Sequence, residues 1–205
     1  MSAHGGDWAN PGPAGLAALG VACFAFYALL SGKVSGNAIP LMGLWLLGGF
    51  VIQLAVGLIE LKENSLSGGN IFLLFSGFFM FTTGLSFVFK YYAATQGWAL
   101  DARIDGWVWI ILWVTVWLWT PAFFDRPLVF VLMVLSICVA CPFICLIDLG
   151  VLDHGYAKIP ANALLIAGSL GTYFAAAGML NTTYGRTILP VGKPVVKHNT
   201  HAVES

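Results

Sequence analysis

Gln53 and Glu60 are the first residues in this sequence that could do chemistry, because each lies in or at the end of a long apolar run. With Gly49 and Gly57 they are spaced four, four and three apart, so all four share one helical face. Polar groups at membrane depth are costly and usually face a bundle interior or a water-filled path. Glycines on the same face let a neighbouring backbone come close. Gln53 therefore reads either as a path-lining group or as a bond to the next helix. Glu60 reads either as a path residue or as a residue at the membrane edge. Ser76 and Thr83 lie seven apart and are expected on one face. Ser169, Thr172 and Tyr173 flank a small-residue stripe, Gly168, Gly171, Ala175 and Gly178. Such hydroxyls either line a polar path or bond the preceding turn.

No catalytic motif is present: GxSxG, HExxH and GxxxxGK[ST] are all missing, so no enzyme, catalytic residue or cofactor is expected. Cys138, Cys141 and Cys145 lie inside an apolar run, where thiols act as small packing residues rather than metal ligands, and no disulfide is expected with Cys23. His154 falls in a loop, and His4, His198 and His201 fall in the tails.

The elements that carry these residues follow from composition. Of 205 residues, 59% are hydrophobic and 9% charged, and mean hydropathy is +0.87. Soluble domains carry about 25% charged residues. The chain is therefore an all-α integral membrane protein. Six stretches are long and apolar enough to cross a bilayer, at 11–30, 39–61, 71–91, 107–123, 128–149 and 160–180. They leave a short tail at 1–9, a second at 183–205, and one domain over 1–205. Six spans put both termini on one side. That side carries Lys62, Arg126, Arg186, Lys193 and Lys197, against Lys33, Lys90, Arg103 and Lys158 on the other, so the termini are expected in the cytoplasm. The opening "MSAHGGDW" lacks a basic n-region, so the first helix is expected to be retained. Net charge is zero, and no basic patch suggests nucleic acid.

Trp109, Trp113 and Trp117 form a stripe expected to face lipid or a neighbouring subunit, and Pro142 is expected to kink the fifth helix. Asp148 is expected at the interface.

The two ends are more specific. "NPGPAGL" at 10–16 matches an NPxPxGL pattern through Asn10, Pro11, Pro13, Gly15 and Leu16. "GRTILPVG" follows the last span and matches a GRTxLPxG segment. "QLAVGLIE" carries Gln53, Gly57 and Glu60 between them. Over residues 10–192 the chain resembles the acetate uptake transporter family, the succinate–acetate permeases. The resemblance implies a six-helix protomer in a homo-hexamer of the cytoplasmic membrane. It also implies a path through each protomer for acetate, and in some members succinate, as a proton-coupled permease or an anion channel. The residues expected along the path are Asn10, Pro11, Pro13, Gly15, Leu16, Gln53, Glu60, Thr83, Tyr173, Asn181 and Arg186. Relatives narrow at an apolar constriction, which corresponds to Leu19, Ser76 and Leu135 here. An aromatic becomes Leu19 and a tyrosine becomes Ser76, and Phe24, Tyr27 and Phe79 are the candidates to refill the gap.

This reading gives the first helix start a use. Prolines in the first turn cost little, Asn10 can cap, and the remaining N–H groups with the helix dipole favour an anion. The alternative is a shaped helix start without a ligand. Arg186 either draws anions to the cytoplasmic mouth or anchors the helix end among headgroups. Two other functions stay open: a channel for small neutral solutes such as urea or amides, and a non-transporting membrane scaffold.

Overall fold

The computed structural model describes residues 8–196; Lys197 and the tail histidines His4, His198 and His201 lie outside the described residues. Among the described residues, six helices are long and apolar enough to cross a membrane. They are α1 (Gly12–Leu30), α2 (Ile39–Lys62), α3 (Leu66–Thr95), α4 (Arg103–Trp119), α5 (Leu128–Asp148) and α6 (Lys158–Tyr184). At 1.5 Å per residue each is long enough for most or all of a hydrocarbon core about 30 Å thick. Both described ends lie at one face of the bundle, hereafter the terminal face.

Two boundaries differ from the sequence expectation for reasons of packing. Helix α3 starts at Leu66, well before residue 71, because Gly68 and Gly69 are places of close approach rather than breaks. A Cβ on Gly69 would stand 2.5 Å from the Leu61 side chain. Helix α4 ends at Trp119, and Pro121 turns Thr120–Phe123 into a 3-10 turn. Helix α5 runs on through Pro142.

The middle of α3, Phe75–Thr82, is a π-helix. The hydroxyls of Thr82 and Thr83 follow its wider turn, donating to the carbonyls of Gly77 and Phe78, five residues back, at 2.9 Å each. A seven-residue spacing no longer returns to one face across such a segment. Ser76 is accordingly buried and donates to the Phe50 carbonyl at 3.4 Å, while Thr83 lines a cavity on the opposite half of the bundle. The expectation that they share a face is thereby corrected.

Small residues set the helix crossings. Cβ atoms on Gly43 and Gly84 would each meet the other's carbonyl oxygen, at 2.6 and 2.8 Å. Gly168 of α6 faces Cys23 of α1, and Gly178 faces Pro13, so the α6 stripe packs within the protomer. The inward face of α4 is Gly106, Trp109, Leu112 and Val116. Trp109 is therefore buried, edge-on to Phe79, while Trp117 is exposed, which corrects the expectation that the tryptophan stripe faces outward as a unit.

The segment after α6 is a docked strap rather than a loose tail. Gly185 leaves the helix at φ 60°, a left-handed turn that suits glycine. The Asn181 Oδ1 accepts from the N–H groups of Ile188 and Leu189, and its amide donates to the Leu189 carbonyl at 2.9 Å. The Tyr173 hydroxyl donates to the Pro190 carbonyl at 2.8 Å. Val129 N–H then donates to the Val191 carbonyl, and Val196 N–H to that of Phe124.

Two outcomes follow from this packing. Gly84→Leu is expected to destabilise the purified protein by about 1–3 kcal/mol through overpacking. Helix propensity alone would make the same change stabilising, so the sign of the shift in a detergent thermal melt decides. Asn181→Ala removes three hydrogen bonds and is expected to free the strap. Limited proteolysis should then cut after Arg186 several-fold faster than in the parent, while the spans stay intact.

A candidate path through the protomer

Three cavities lie in succession along the bundle. At the terminal face is a vestibule of about 180 Å³, walled by Asn10, Glu60, Phe72, Arg126 and Phe130 among others. It shares Leu16, Phe72 and Phe130 with an apolar neck of about 40 Å³, which adds Leu19, Gln53 and Val116. That volume is on the scale of one water at liquid density. Beyond the neck stands Phe79, stacked on Phe26 at 5.3 Å and edge-on to Phe75 and Trp109 at 5.4 and 6.0 Å. Phe75 belongs to the neck, whereas Phe26 and Trp109 belong to a second vestibule of about 220 Å³ at the opposite face. Phe79 thus stands between the neck and the second vestibule.

Gln53 is the one polar side chain among the residues lining the neck, and it is 1% exposed. Its Nε2 donates to the Gly15 carbonyl at 3.2 Å. A carbonyl only accepts, so the amide orientation is fixed: nitrogen towards Gly15, Oε1 away from it. Oε1 is buried and has no hydrogen-bond partner among the described residues. Gly15 itself tolerates no side chain, since its Cβ would stand 2.5 Å from the Phe72 ring. The surface of the neck is therefore wholly apolar, and the unspent Gln53 acceptor is buried behind it.

The start of α1 does not offer the free donors that its sequence suggests. Pro11 and Pro13 have no N–H. The Gly12 N–H donates to Asn10 Oδ1 at 2.8 Å, and that of Ala14 to the Pro11 carbonyl at 3.0 Å. A carboxylate of the protein's own lies beside this helix start. A Cβ on Gly12 would stand 3.3 Å from Glu60 Oε1, and one on Gly68 would stand 2.5 Å from Glu60 Oε2. Glu60 thus lies between the starts of α1 and α3, where helix dipoles are positive. Arg126 supplies the vestibule's cation, donating to the Ser67 hydroxyl at 3.3 Å.

The other residues singled out from sequence fall in different places. Leu19 lines the neck. Ser76 is spent on the Phe50 carbonyl. Phe24 and Leu135 are 46% and 41% exposed and point out of the bundle, because α1 and α5 turn their Leu19 and Val134 faces inward. Tyr173 and Asn181 hold the strap, and Arg186 is exposed on it. Asp148, expected at the interface, lines the second vestibule with Lys90 and Asp105. Sequence reading named Phe79 as a candidate to refill the constriction, Trp109 only in the tryptophan stripe and Lys90 only in the charge count, and it did not name Asp105 or Phe26. Spacing gives no warning of the pairing of Lys90 with Asp105, since they come together only when α3 packs against α4. Outside the spans, Arg103 holds the Asp101 carboxyl down at about 2 through paired hydrogen bonds of 2.8 and 2.7 Å.

The sequence matches no protein-family model and no curated protein. A solved structure, that of the bacterial acetate channel SatP, matches this chain with a TM-score of 0.76 at 22% sequence identity, over 90% of this chain and 99% of that one. The chain therefore has the six-helix fold of that channel.

Proposed function

We propose that the chain is a membrane permease for acetate and related small carboxylates, with the path running inside each protomer. One observation carries the reading: two vestibules that carry charged side chains flank an apolar neck, the first sharing wall residues with it and the second separated from it by Phe79, and the neck's one polar side chain is the buried Gln53. The shared fold with an acetate channel supports the same substrate class. So does the match of both chain ends to the acetate uptake family.

The neck accounts for selectivity. Burying a full charge away from water is very costly, and each added charge multiplies the penalty. A monocarboxylate with a methyl group meets that wall on better terms than succinate, which carries two charges. Gln53 Oε1, buried behind that wall, becomes an acceptor for a protonated carboxyl or a water when the neck widens to admit one. Asn10, Glu60 and Arg126 receive the substrate at the terminal face, and Leu16 and Leu19 narrow the route behind them. Pro11, Pro13 and Gly15 shape that helix start, and Thr83 belongs to the opposite vestibule. Tyr173, Asn181 and Arg186 act through the strap. The family resemblance supports a homo-hexamer in the cytoplasmic membrane, and the lysine and arginine distribution supports cytoplasmic termini.

Uptake of labelled acetate by proteoliposomes holding the purified protein tests this reading. The parent is expected to move acetate well above succinate. Gln53→Leu is expected to cut acetate flux about five- to ten-fold, the worth of one hydrogen bond. Its folding stability should change little, because an interhelical bond of this kind averages about 0.6 kcal/mol. No acetate flux from folded protein overturns the proposal, and urea flux in its place would favour a neutral-solute channel.

A further inference from the structure

The vestibule opposite the termini carries charges that the reading above leaves unused. Lys90 of α3 and Asp105 of α4 form an ion pair in its wall, with side chains 30% and 28% exposed. Asp148, at the end of α5, lines the same cavity, so one ammonium faces two carboxylates. Thr82 and Thr83 stand on this wall too, but their hydroxyl protons are spent on the carbonyls of Gly77 and Phe78. An ammonium has three N–H donors, and Asp105 takes one of them. Lys90 is thus the cation this wall can offer to an anion.

Asp105 has a second place to put its charge. It lies in the first turn of α4, where the helix dipole favours a carboxylate. It can therefore release Lys90 without being left unsupported.

We propose that Lys90 is the carboxylate-binding group of this vestibule and that Asp105 is a tethered competitor for it. An arriving carboxylate takes N–H donors of Lys90 in exchange for Asp105, and Asp105 reclaims them when the ligand leaves. Asp148 adds a repulsion that keeps the ligand's stay short and weighs against a second negative charge. A transport site must bind well enough to load and weakly enough to release, and an internal carboxylate supplies that balance. The inference rests on the carboxylate reading above, and the two vestibule carboxylates add to the neck's discrimination against a doubly charged ligand.

Acetate and succinate uptake by proteoliposomes of Asp105→Asn, Lys90→Gln and the double variant tests it. Asp105→Asn is expected to lower the half-saturation concentration for acetate about two- to five-fold, the range of a partly exposed ion pair. It should also raise succinate flux relative to acetate. Lys90→Gln is expected to raise the half-saturation concentration. If that variant fails to fold, with two carboxylates left facing each other, the neutral double variant takes its place and should bind acetate more weakly than Asp105→Asn. An unchanged or raised half-saturation concentration in Asp105→Asn overturns the proposal. Should the parent itself move no acetate, the transport reading fails instead. A carbon-13 NMR titration of acetate against the detergent-purified parent and Asp105→Asn proteins then decides the site, with tighter binding in the variant supporting it and equal binding refuting it.

Discussion

The hydrogen bond from Gln53 to the Gly15 carbonyl is the constraint on which the geometry of the neck depends. It ties α2 to α1 at the neck and leaves the amide oxygen, on the other side of the group, without a partner among the described residues. The geometry requires α1 to approach α3 with no Cβ in the way, which Gly15 permits against Phe72. It also requires α2 to sit close to α3, which Gly49 permits against Met80 and Gly57 against Leu73. The stripe of Gly49, Gln53, Gly57 and Glu60 is thus one device. Its glycines set the helix distance, and its polar residues face the space that distance leaves.

Polarity along the axis is divided in a way that follows from solvation. Charges stand in the wider vestibules, where water can share their field, and the neck between them is apolar but for one amide. Neither vestibule offers an unopposed cation. Arg126 shares its space with Glu60, and Lys90 with Asp105 and Asp148. On the proposed reading, opposing charges of this kind would keep an anion from being held too firmly on its way through.

The spans were readable in the sequence because hydrocarbon demands long apolar helices, and the glycine stripes were readable because close packing demands small residues at helical spacing. Gln53 was readable because a polar group at that depth has few innocent uses. The misreadings have a common cause. They concern rotation about a helix axis and contacts between helices, neither of which a single helix's spacing determines. The π segment at Phe75–Thr82 separated Ser76 from Thr83. The inward face of α4 took Trp109 away from its stripe. The N–H groups at the start of α1 were spent locally by Asn10 and Pro11, which spacing alone leaves undecided. Lys90, Asp105 and Asp148 come from three helices and meet only in the folded bundle.

Phe79 gives the most direct test of the central claim that the route runs along this axis and is closed by one aromatic plug. The measurement is the ratio of propionate or butyrate flux to acetate flux in proteoliposomes of Phe79→Ala. Emptying the space between Phe26, Phe75 and Trp109 should widen the route, so the ratio is expected to rise well above that of the parent. An unchanged ratio in folded protein, with acetate flux intact, would contradict the account and place the route elsewhere.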